Sequence, residues 1–279
     1  MARLAMPVLQ ITAENLPEGW ERALLQTWEH GAAIATQYDQ PDDPPSRDAT
    51  AIIAVADAFA EPRIHRGLPG GIDQLEAYRQ EVVDGIHDHW IDPEAGKWEY
   101  TYHDRLVRYS VPGGLPPVDQ LTAVVDALCE APHTRRAQAI LWKPWEDLGI
   151  ADPPCLQRLW FRVYGDVLVM NAHMRSNDAF KAAFMNMYAF TELQRDVARR
   201  LSERLGRFIR PGQYTHIADS FHIYGSYFDE FETFLELVRS RPFERRTYRT
   251  EDVAELLAEA EAAVRRSIEA ERTSGRKGL

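Results

Sequence analysis

Several features that mark other classes of protein are scarce in this sequence of 279 residues. Only two cysteines occur, Cys129 and Cys155, which is too few for a disulfide framework and typical of a reducing compartment. No apolar run approaches the roughly 20 residues of a membrane-spanning helix. The N-terminal stretch has no convincing signal-peptide cleavage site. We therefore expect a cytoplasmic protein without a membrane partner.

The sequence also lacks an excess of positive charge, since acidic residues outnumber basic ones and the formal net charge is −11. Proteins that bind polynucleotides usually present a basic surface, so we expect no nucleic acid polymer as a partner. Neither a G-x-G-x-x-G nor a Walker GK[ST] motif occurs, and NAD or ATP chemistry is therefore poorly supported. A small phosphate ligand remains compatible with this composition, because a few local arginines are enough to bind it.

Hydrophobic patterns predict an alternation of strands and helices without regular βαβ spacing, which indicates a mixed α/β or α+β domain. Residues 156–176 predict two strands joined through Gly165-Asp166, a hairpin turn signal. The other predicted elements are helices over 17–37 (in part), 71–86, 184–201 and 250–272, strands over 51–59 and 137–142, a strand entering a helix over 214–224, and a loop over 40–48. We divide the chain into an N-terminal accessory segment (1–45), a catalytic domain (46–245) and a C-terminal helix with a mobile tail (246–279).

Candidate reactive and phosphate-binding side chains lie in the middle of the sequence. Cys155 follows Asp-Pro-Pro and precedes a strand-like run. It is a candidate nucleophile if nearby cations lower its pKa, although a lone cysteine is more often a small buried hydrophobe. The pair Arg135-Arg136 and the pair Arg175-Ser176 are candidate phosphate ligands. Each arginine by itself is more often a solvated surface charge.

Three further polar residues interrupt apolar segments. Asn186 lies in the apolar helical pattern FMNMYAF, where a buried amide needs a backbone partner or the edge of a base. His222 and Tyr224 are two residues apart, so they share one side of an extended segment and can hold a sugar hydroxyl. An aromatic strand with satisfied polar tips is the plainer interpretation of that pair.

The order and spacing of these residues resemble those of the thymidylate synthase and pyrimidine-nucleotide hydroxymethylase family. The resemblance covers roughly residues 47–230 and rests on TRR (134–136), PPC (153–155), RSND (175–178), Asn186 and HIY (222–224). It implies a thymidylate-synthase-like fold, in which a large mixed sheet is flanked by helices and mediates dimerisation. It also implies transfer of a one-carbon unit from 5,10-methylenetetrahydrofolate, without a metal, to C5 of a pyrimidine nucleoside monophosphate (dUMP, dCMP, UMP or CMP).

The resemblance assigns catalytic roles to three residues. Cys155 would be the thiolate that adds to C6 of the pyrimidine, and Tyr102 would assist proton transfers at the base. The family's general-base glutamate falls on Tyr78 here, while Glu76 and Glu81 lie within about one helical turn of it. We assign the role to Glu81, because C5 deprotonation would be slow without a carboxylate that relays protons through water.

The other family positions predict binding contacts. Those to the nucleotide are Arg47, Arg175 and Ser176 at the 5′-phosphate, Arg135 and Arg136 donated across a homodimer interface to the partner's phosphate, and His222 and Tyr224 at the sugar 3′-hydroxyl. Asp178 and Trp90 would contact the folate. Asn186 would read the base. Asparagine accompanies uracil in the family, but a rotated amide also complements cytosine, so CMP and dCMP remain candidates, as do both sugars.

Two departures from the family bear on the product. Leu156 follows the cysteine where the family has a histidine, and the chain continues through a charged helix where the family has a short apolar tail that closes over the folate. In the family's pathway, hydride transfer gives a methyl group and water gives a hydroxymethyl group. A wetter site favours water, so we predict hydroxymethylation, with reductive methylation of dUMP as the alternative.

Two hypotheses from other functional classes also fit parts of the sequence. His87-Asp88-His89, with His103 nearby, is a weak signal for a metal-dependent hydrolase, and a solvated helix end explains it equally well. A catalytically silent nucleotide-binding scaffold is the second hypothesis. The presence of Cys155 argues against it, because binding alone requires no thiol.

Overall fold

The computed structural model describes residues 5–274, which form ten strands and eight α-helices. The strands are β1 (Val8–Ala13), β2 (Ala32–Ile34), β3 (Ser46–Val55), β4 (Ile64–His65), β5 (Gln138–Ile140), β6 (Leu156–Tyr164), β7 (Val167–Met174), β8 (Asn177–Asp178), β9 (Arg210–Ile223) and β10 (Thr247–Tyr248). The helices are α1 (Leu16–His30), α2 (Gly71–Asp84), α3 (Tyr102–Val107), α4 (Gln120–Glu130), α5 (Pro144–Asp147), α6 (Ala183–Leu205), α7 (Phe228–Ser240) and α8 (Ala254–Ser274).

Eight of these strands form one mixed sheet in the order β1-β3-β9-β7-β6-β5, with β2 beside β3 and β8 beside β9. The β1–β3, β7–β9 and β8–β9 pairs are parallel, and the remaining pairs in this sheet are antiparallel. Strands β4 and β10 form a separate two-stranded sheet. Helices pack on the large sheet, so the predicted mixed α/β architecture is confirmed.

The predicted hairpin is formed by β6 and β7, which are joined at Gly165-Asp166. Gly165 has a φ of +65°, a left-handed conformation that suits a two-residue turn and costs glycine little. Successive side chains of a strand point to opposite faces, so every second residue of β6 lies on one face. The side chains on the buried face include Leu159, Phe161 and Val163.

Helix α6 covers the buried face of the sheet. Its predicted apolar stripe is confirmed, since the side chains spaced at helical period are buried: Phe184, Met187, Phe190, Leu193, Val197 and Leu201. Helix α2 packs against α6, and α8 packs against α2 in turn. The first turn of α6 carries Asn186, so the packing of this stripe sets the position of that amide.

The N-terminal segment is part of the same sheet and core. Strand β1 pairs in parallel with β3, and the indole nitrogen of the fully buried Trp20 donates to the Ala179 carbonyl at 2.8 Å. Glu21 pairs with Arg246 at 2.6 Å and lies 3.0 Å from His65. Helix α1 is therefore tied by buried polar contacts to a residue close to the C-terminal helix.

Some element boundaries differ from the predicted ones. Strand β3 begins at Ser46 inside the predicted loop, because Ser46 and Arg47 pair with β2. Residues 214–223 are strand throughout, whereas a transition into a helix was expected. The predicted mobile tail lies largely outside the described residues. Within residues 5–274, no helix has the length and apolarity needed to cross a membrane.

Candidate active site

A cavity of about 250 Å³ brings together side chains from six separate parts of the chain. We call it the Cys155 pocket. It is lined by Tyr78, Tyr102, Cys155, Met174, Ser176, Asn177, Asp178, Ala182, Met185, Asn186, His222 and Tyr224. Seven of the predicted site residues are thus neighbours: Tyr102, Cys155, Ser176, Asp178, Asn186, His222 and Tyr224.

Strand register explains why distant residues meet at this end of the sheet. Cys155 directly precedes β6, and its carbonyl accepts a hydrogen bond of 2.8 Å from the backbone N–H of Arg175 at the end of β7. Ser176 follows in the short connection to β8. In the β8–β9 ladder, Asp178 is the partner of His222. The ends of three neighbouring strands therefore border one cavity.

The environment of Cys155 both hinders and assists ionisation. Burial raises the pKa of the Cys155 thiol, the Arg175 guanidinium lowers it and the Asp152 carboxylate raises it, and the net shift is upward. The guanidinium of Arg175 donates to the carbonyls of Pro153 and Pro154, directly before the cysteine. Arg175 thereby fixes the loop that presents the thiol and places a positive charge beside it.

Two buried tyrosines stand between the thiol and the amide. The Tyr78 hydroxyl donates to Asn186 Oδ1 at 2.5 Å, and the Tyr102 hydroxyl accepts from the Leu156 backbone N–H at 3.3 Å. Burial raises the pKa of both phenols, and the nearby Cys155 raises that of Tyr102 further. Both are therefore neutral hydrogen-bonding groups, and a neutral phenol cannot replace a carboxylate as a base.

The pair predicted to hold a sugar hydroxyl is also brought together. The rings of His222 and Tyr224 meet edge to face with their centroids 4.6 Å apart. Burial lowers the pKa of His222 although Asp178 and Asp48 oppose this, so the ring is neutral. Its Nδ1 atom lies 3.0 Å from Ser220 Oγ.

A second cavity of about 460 Å³ adjoins the Cys155 pocket, because Tyr78 and Tyr102 line both. We call it the outer cavity. Its other lining residues are Glu81, Lys97, Trp98, Glu99, Tyr100, Thr101, Ala151 and Asp152. The predicted general base Glu81 thus lies here, with Oε2 2.8 Å from His87 Nδ1.

The alternative carboxylate, Glu76, is occupied by structural contacts. It is 4% exposed, and both of its oxygens accept hydrogen bonds from Arg79. Glu81 borders the outer cavity, whereas Glu76 is not among the residues that line that cavity or the Cys155 pocket.

The tryptophan that lines the outer cavity is Trp98, which the sequence reasoning missed. Trp90 lies one layer behind, with its ring centroid 5.0 Å from that of Trp98. It stacks on His87 at 3.7 Å, and its indole nitrogen donates to Glu271 of α8 at 2.8 Å. Both tryptophans lie in the irregular segment between α2 and α3, where periodicity gives no guide to orientation.

The remaining predicted phosphate ligands lie elsewhere. Arg135 and Arg136 border a third cavity of about 480 Å³ beside the end of α4. Arg47 is the cross-strand partner of Ile223, and its guanidinium carbon is 5.8 Å from the Trp28 ring centroid. None of these three arginines is among the residues that line the Cys155 pocket of the described chain.

The candidate metal ligands are engaged in separate pairwise contacts. His87 contacts Glu81, Asp88 contacts His103 at 2.7 Å, and His89 contacts Glu271 at 3.3 Å. In the part of the chain that the structure describes, no group of three or more His, Cys, Asp or Glu side chains is arranged to hold a metal ion.

Comparison with known proteins identifies the family. The family model for thymidylate synthase matches residues 71–257. A provisionally named thymidylate synthase of Methanopyrus kandleri is 40% identical over 219 residues, which cover 77% of this chain and 93% of that protein. A protein of Methanosarcina acetivorans with the same provisional name is 26% identical over 226 residues, covering 81% of this chain and 94% of that one. Thermostable thymidylate synthase A from Bacillus subtilis shares the fold, with a TM-score of 0.62 at 17% identity over 80% of this chain and 84% of that chain. The chain therefore belongs to the thymidylate synthase family and is a one-carbon transferase.

Proposed function

We propose that the protein transfers a one-carbon unit from 5,10-methylenetetrahydrofolate to C5 of a pyrimidine nucleoside 5′-monophosphate and releases a hydroxymethylated nucleotide. The observation that carries this proposal is that Cys155 shares one cavity with Asn186, His222 and Tyr224. A nucleophile, an amide suited to a base edge and a pair suited to a sugar hydroxyl thus surround a space suited to a nucleoside.

The first chemical step is addition of Cys155 Sγ to C6 of the pyrimidine. The S–C6 bond forms, the C5=C6 π bond breaks, and its electron pair becomes available at C5. Because burial raises the pKa of Cys155, the thiolate depends on the positive charge of Arg175. The phosphate and that guanidinium attract each other, so a bound nucleotide is also held beside the thiol.

After C5 has formed its new bond, its proton must leave. Glu81 is the carboxylate that borders the outer cavity, and His87 holds it at 2.8 Å. Glu81 accepts the C5 proton through water. The electron pair that this releases forms the exocyclic double bond at C5 as the folate departs. Water then adds to the exocyclic carbon, so that its oxygen forms the C–O bond of the hydroxymethyl group and it gives up one proton. The electron pair of the exocyclic double bond returns to the ring and re-forms C5=C6, which breaks the S–C6 bond and releases Cys155 as a thiolate.

The outer cavity fits a folate by the chemistry of its walls. Trp98, Tyr100 and Tyr102 supply aromatic surface for a planar pterin ring, and Asp178 borders the adjoining pocket as an acceptor for ring N–H groups. When bound, the folate supplies the methylene carbon. Glu81, Lys97, Glu99 and Asp152 bring charge to the same cavity, so water reaches it readily. This is why we favour hydroxymethylation over reductive methylation, which requires water to be excluded.

The proposed base is uracil, with cytosine as the competitor to be tested. Tyr78 donates to Asn186 Oδ1, and that oxygen has a second lone pair for the N3–H of uracil. The amide nitrogen then faces O4 as a donor. Cytosine requires the amide to rotate, so that Tyr78 becomes the acceptor.

We also propose that the active protein is a homodimer formed through the large sheet. Ile52 and Ile140 are exposed side chains on strands of that sheet, and Arg135 and Arg136 border a cavity separate from the Cys155 pocket. These arginines would reach the phosphate bound by a partner copy.

Mixing inactive variants tests the dimer. Cys155→Ser and the double variant Arg135→Ala/Arg136→Ala are each expected to be nearly inactive. After the two are unfolded together and refolded, half of the dimers are mixed, and each contains one complete site, so about a quarter of wild-type activity returns. If the arginines acted within their own subunit, no activity would return.

The chemical proposal is tested by incubating the protein and 5,10-methylenetetrahydrofolate with equal amounts of dUMP, dCMP, UMP and CMP. Mass spectrometry then identifies the product, with and without a metal chelator. Hydroxymethylated nucleotide with tetrahydrofolate is the expected result. Methylated nucleotide with dihydrofolate would instead establish reductive methylation, nucleotide binding without turnover would establish a silent scaffold, and loss of activity with chelator would favour a metal enzyme.

A further inference from the structure

Two polar side chains, Ser220 and Asp48, extend from His222 at the Cys155 pocket into the sheet and have no part in the steps above. Ser220 Oγ lies 2.8 Å from Asp48 Oδ2 and 3.0 Å from His222 Nδ1. Asp48 on β3 is the direct cross-strand partner of His222 on β9. Ser220 precedes His222 by two residues, so both side chains lie on one face of β9.

The number of protons available in this series of hydrogen bonds determines the tautomer of His222. A serine hydroxyl has one proton, and an ionised carboxylate can only accept. Ser220 therefore donates to Asp48, and its oxygen is left to accept the N–H of His222 Nδ1. The buried His222 ring is neutral and carries a single N–H. With that proton on Nδ1, Nε2 bears a lone pair.

The neighbouring Tyr224 ring carries a group of the opposite hydrogen-bonding character. Burial, with Asp178 nearby, raises the pKa of Tyr224 to about 12, so its phenol remains protonated and can donate. The two rings are in contact. A ligand group that reaches the polar atoms of both rings meets a bare nitrogen on His222 and an O–H on Tyr224.

We propose that Asp48 and Ser220 are positioning residues that hold His222 as the Nδ1–H tautomer, so that His222 and Tyr224 together select a hydroxyl group. A hydroxyl can donate to Nε2 and accept from Tyr224 at once. A group that only accepts, such as a ketone or a phosphoryl oxygen, leaves two acceptors face to face, and a C–H leaves both unpaired. This inference rests on the proposed nucleotide substrate, whose sugar carries the hydroxyl.

Calorimetric binding separates this inference from catalysis. We would compare dUMP with 2′,3′-dideoxyuridine 5′-monophosphate, which lacks the 3′-hydroxyl. Loss of the hydroxyl is expected to weaken binding to the wild type roughly tenfold. In Asp48→Asn and Ser220→Ala the two nucleotides should differ less than about threefold, because the tautomer is no longer held. Asp126→Asn, which removes a surface carboxylate paired with Arg204 at 2.8 Å, should behave as wild type.

The tautomer itself is read from the ¹⁵N chemical shifts of the histidine rings in the free protein, with His222→Gln used for assignment. A protonated Nδ1 and an unprotonated Nε2 are expected in the wild type, and a mixture of tautomers in Ser220→Ala. A wild-type ring protonated at Nε2 would overturn the inference. So would an undiminished tenfold difference between the nucleotides in both variants, whereas failure of the wild type to bind dUMP at all would count against the proposed function and leave the tautomer measurement valid.

Discussion

The Cys155 pocket and the outer cavity are neighbours that are built in different ways. The Cys155 pocket is formed by the ends of β7, β8 and β9 and the first turn of α6, so strand pairing and helix packing position its side chains. The outer cavity is formed largely by residues 97–102, within an irregular segment between α2 and α3. The positions of Trp98, which lines it, and of Trp90, which packs against Trp98, depend on side-chain contacts that include the hydrogen bond from Trp90 to Glu271 of α8.

Because of this difference, we expect the Cys155 pocket to be rigid and the outer cavity to be adjustable. Moving a residue of the Cys155 pocket requires a shift of strand register, which would turn core residues to the wrong face. The outer cavity can change through single side-chain contacts without disturbing the sheet. On the proposed function, the nucleotide is recognised by the rigid part, and the fate of the one-carbon unit is decided in the adjustable part.

The largest effect is expected at the nucleophile. Cys155→Ser should lower product formation by at least about a thousandfold, because the alkoxide needed for addition to C6 is scarcely populated at neutral pH. Binding of dUMP, measured by calorimetry, should change little. Cys129→Ser, on α4, is the matched control and should retain activity. Comparable loss in both variants would mean that Cys155 acts through the fold.

A substitution in the outer cavity should lower the rate of the chemical steps without changing nucleotide binding. Glu81→Gln removes the proposed proton acceptor but keeps its size, so kcat should fall about a hundredfold with an unchanged Kd for dUMP. The control is Glu94→Gln, an exposed glutamate in the irregular segment between α2 and α3. Steady-state kinetics with calorimetry make the measurement. Full activity of Glu81→Gln would remove Glu81 from the mechanism.

Acid should destabilise the folded protein through His216, which is buried in a series of hydrogen bonds close to the Cys155 pocket. Tyr214 lies 2.7 Å from His216 Nδ1, and Nε2 lies 2.8 Å from Asn177 Oδ1. Burial lowers the pKa of His216 to about 3, below its value of about 6.5 in the unfolded chain. The unfolded state therefore binds this proton first as pH falls, and the free energy of unfolding drops by about 1.4 kcal/mol for each pH unit below 6.

Urea unfolding between pH 7 and pH 4 measures this dependence. His216→Gln is expected to be less stable at pH 7 but to lose stability less steeply in acid. The exposed His30→Gln serves as control and should follow the wild type. Parallel curves for wild type and His216→Gln would show that the acid sensitivity arises elsewhere.

The smallest effect is expected at the C-terminal helix. Glu271→Gln weakens the bonds to His89 and Trp90, and a partly exposed charge-assisted hydrogen bond of this kind is worth about 1 kcal/mol. The KM for the folate should rise about fivefold, and the Kd for dUMP should not change. Glu269→Gln, exposed on the same helix, is the control. An equal change for both ligands would contradict the separation of the two regions.

The local hydrophobic pattern was sufficient to predict the elements whose side chains follow a regular period. The β6–β7 hairpin and the apolar stripe of α6 were predicted because alternation and helical spacing are written in neighbouring residues. The family resemblance grouped seven residues that do share one cavity. It did not distinguish Trp98 from Trp90, because the path of an irregular segment depends on contacts such as the one with Glu271. Nor did it reveal that Glu21 pairs with Arg246, more than two hundred residues away.

The sequence by itself determined the β6–β7 hairpin, the apolar stripe of α6 and the alternation that sets which side chains of a strand share a face. Only the tertiary structure decided what surrounds those side chains. His216 and His222 are an even number of residues apart on β9, so alternation places both on the same face. His216 is sealed between Tyr214 and Asn177, whereas His222 reaches the cavity at the end of the strand. Periodicity determines the face of the sheet to which a side chain points. How deeply that side chain is buried depends on its position along the strand relative to α6 and β8. The depth of burial decides whether it contacts the core or a ligand.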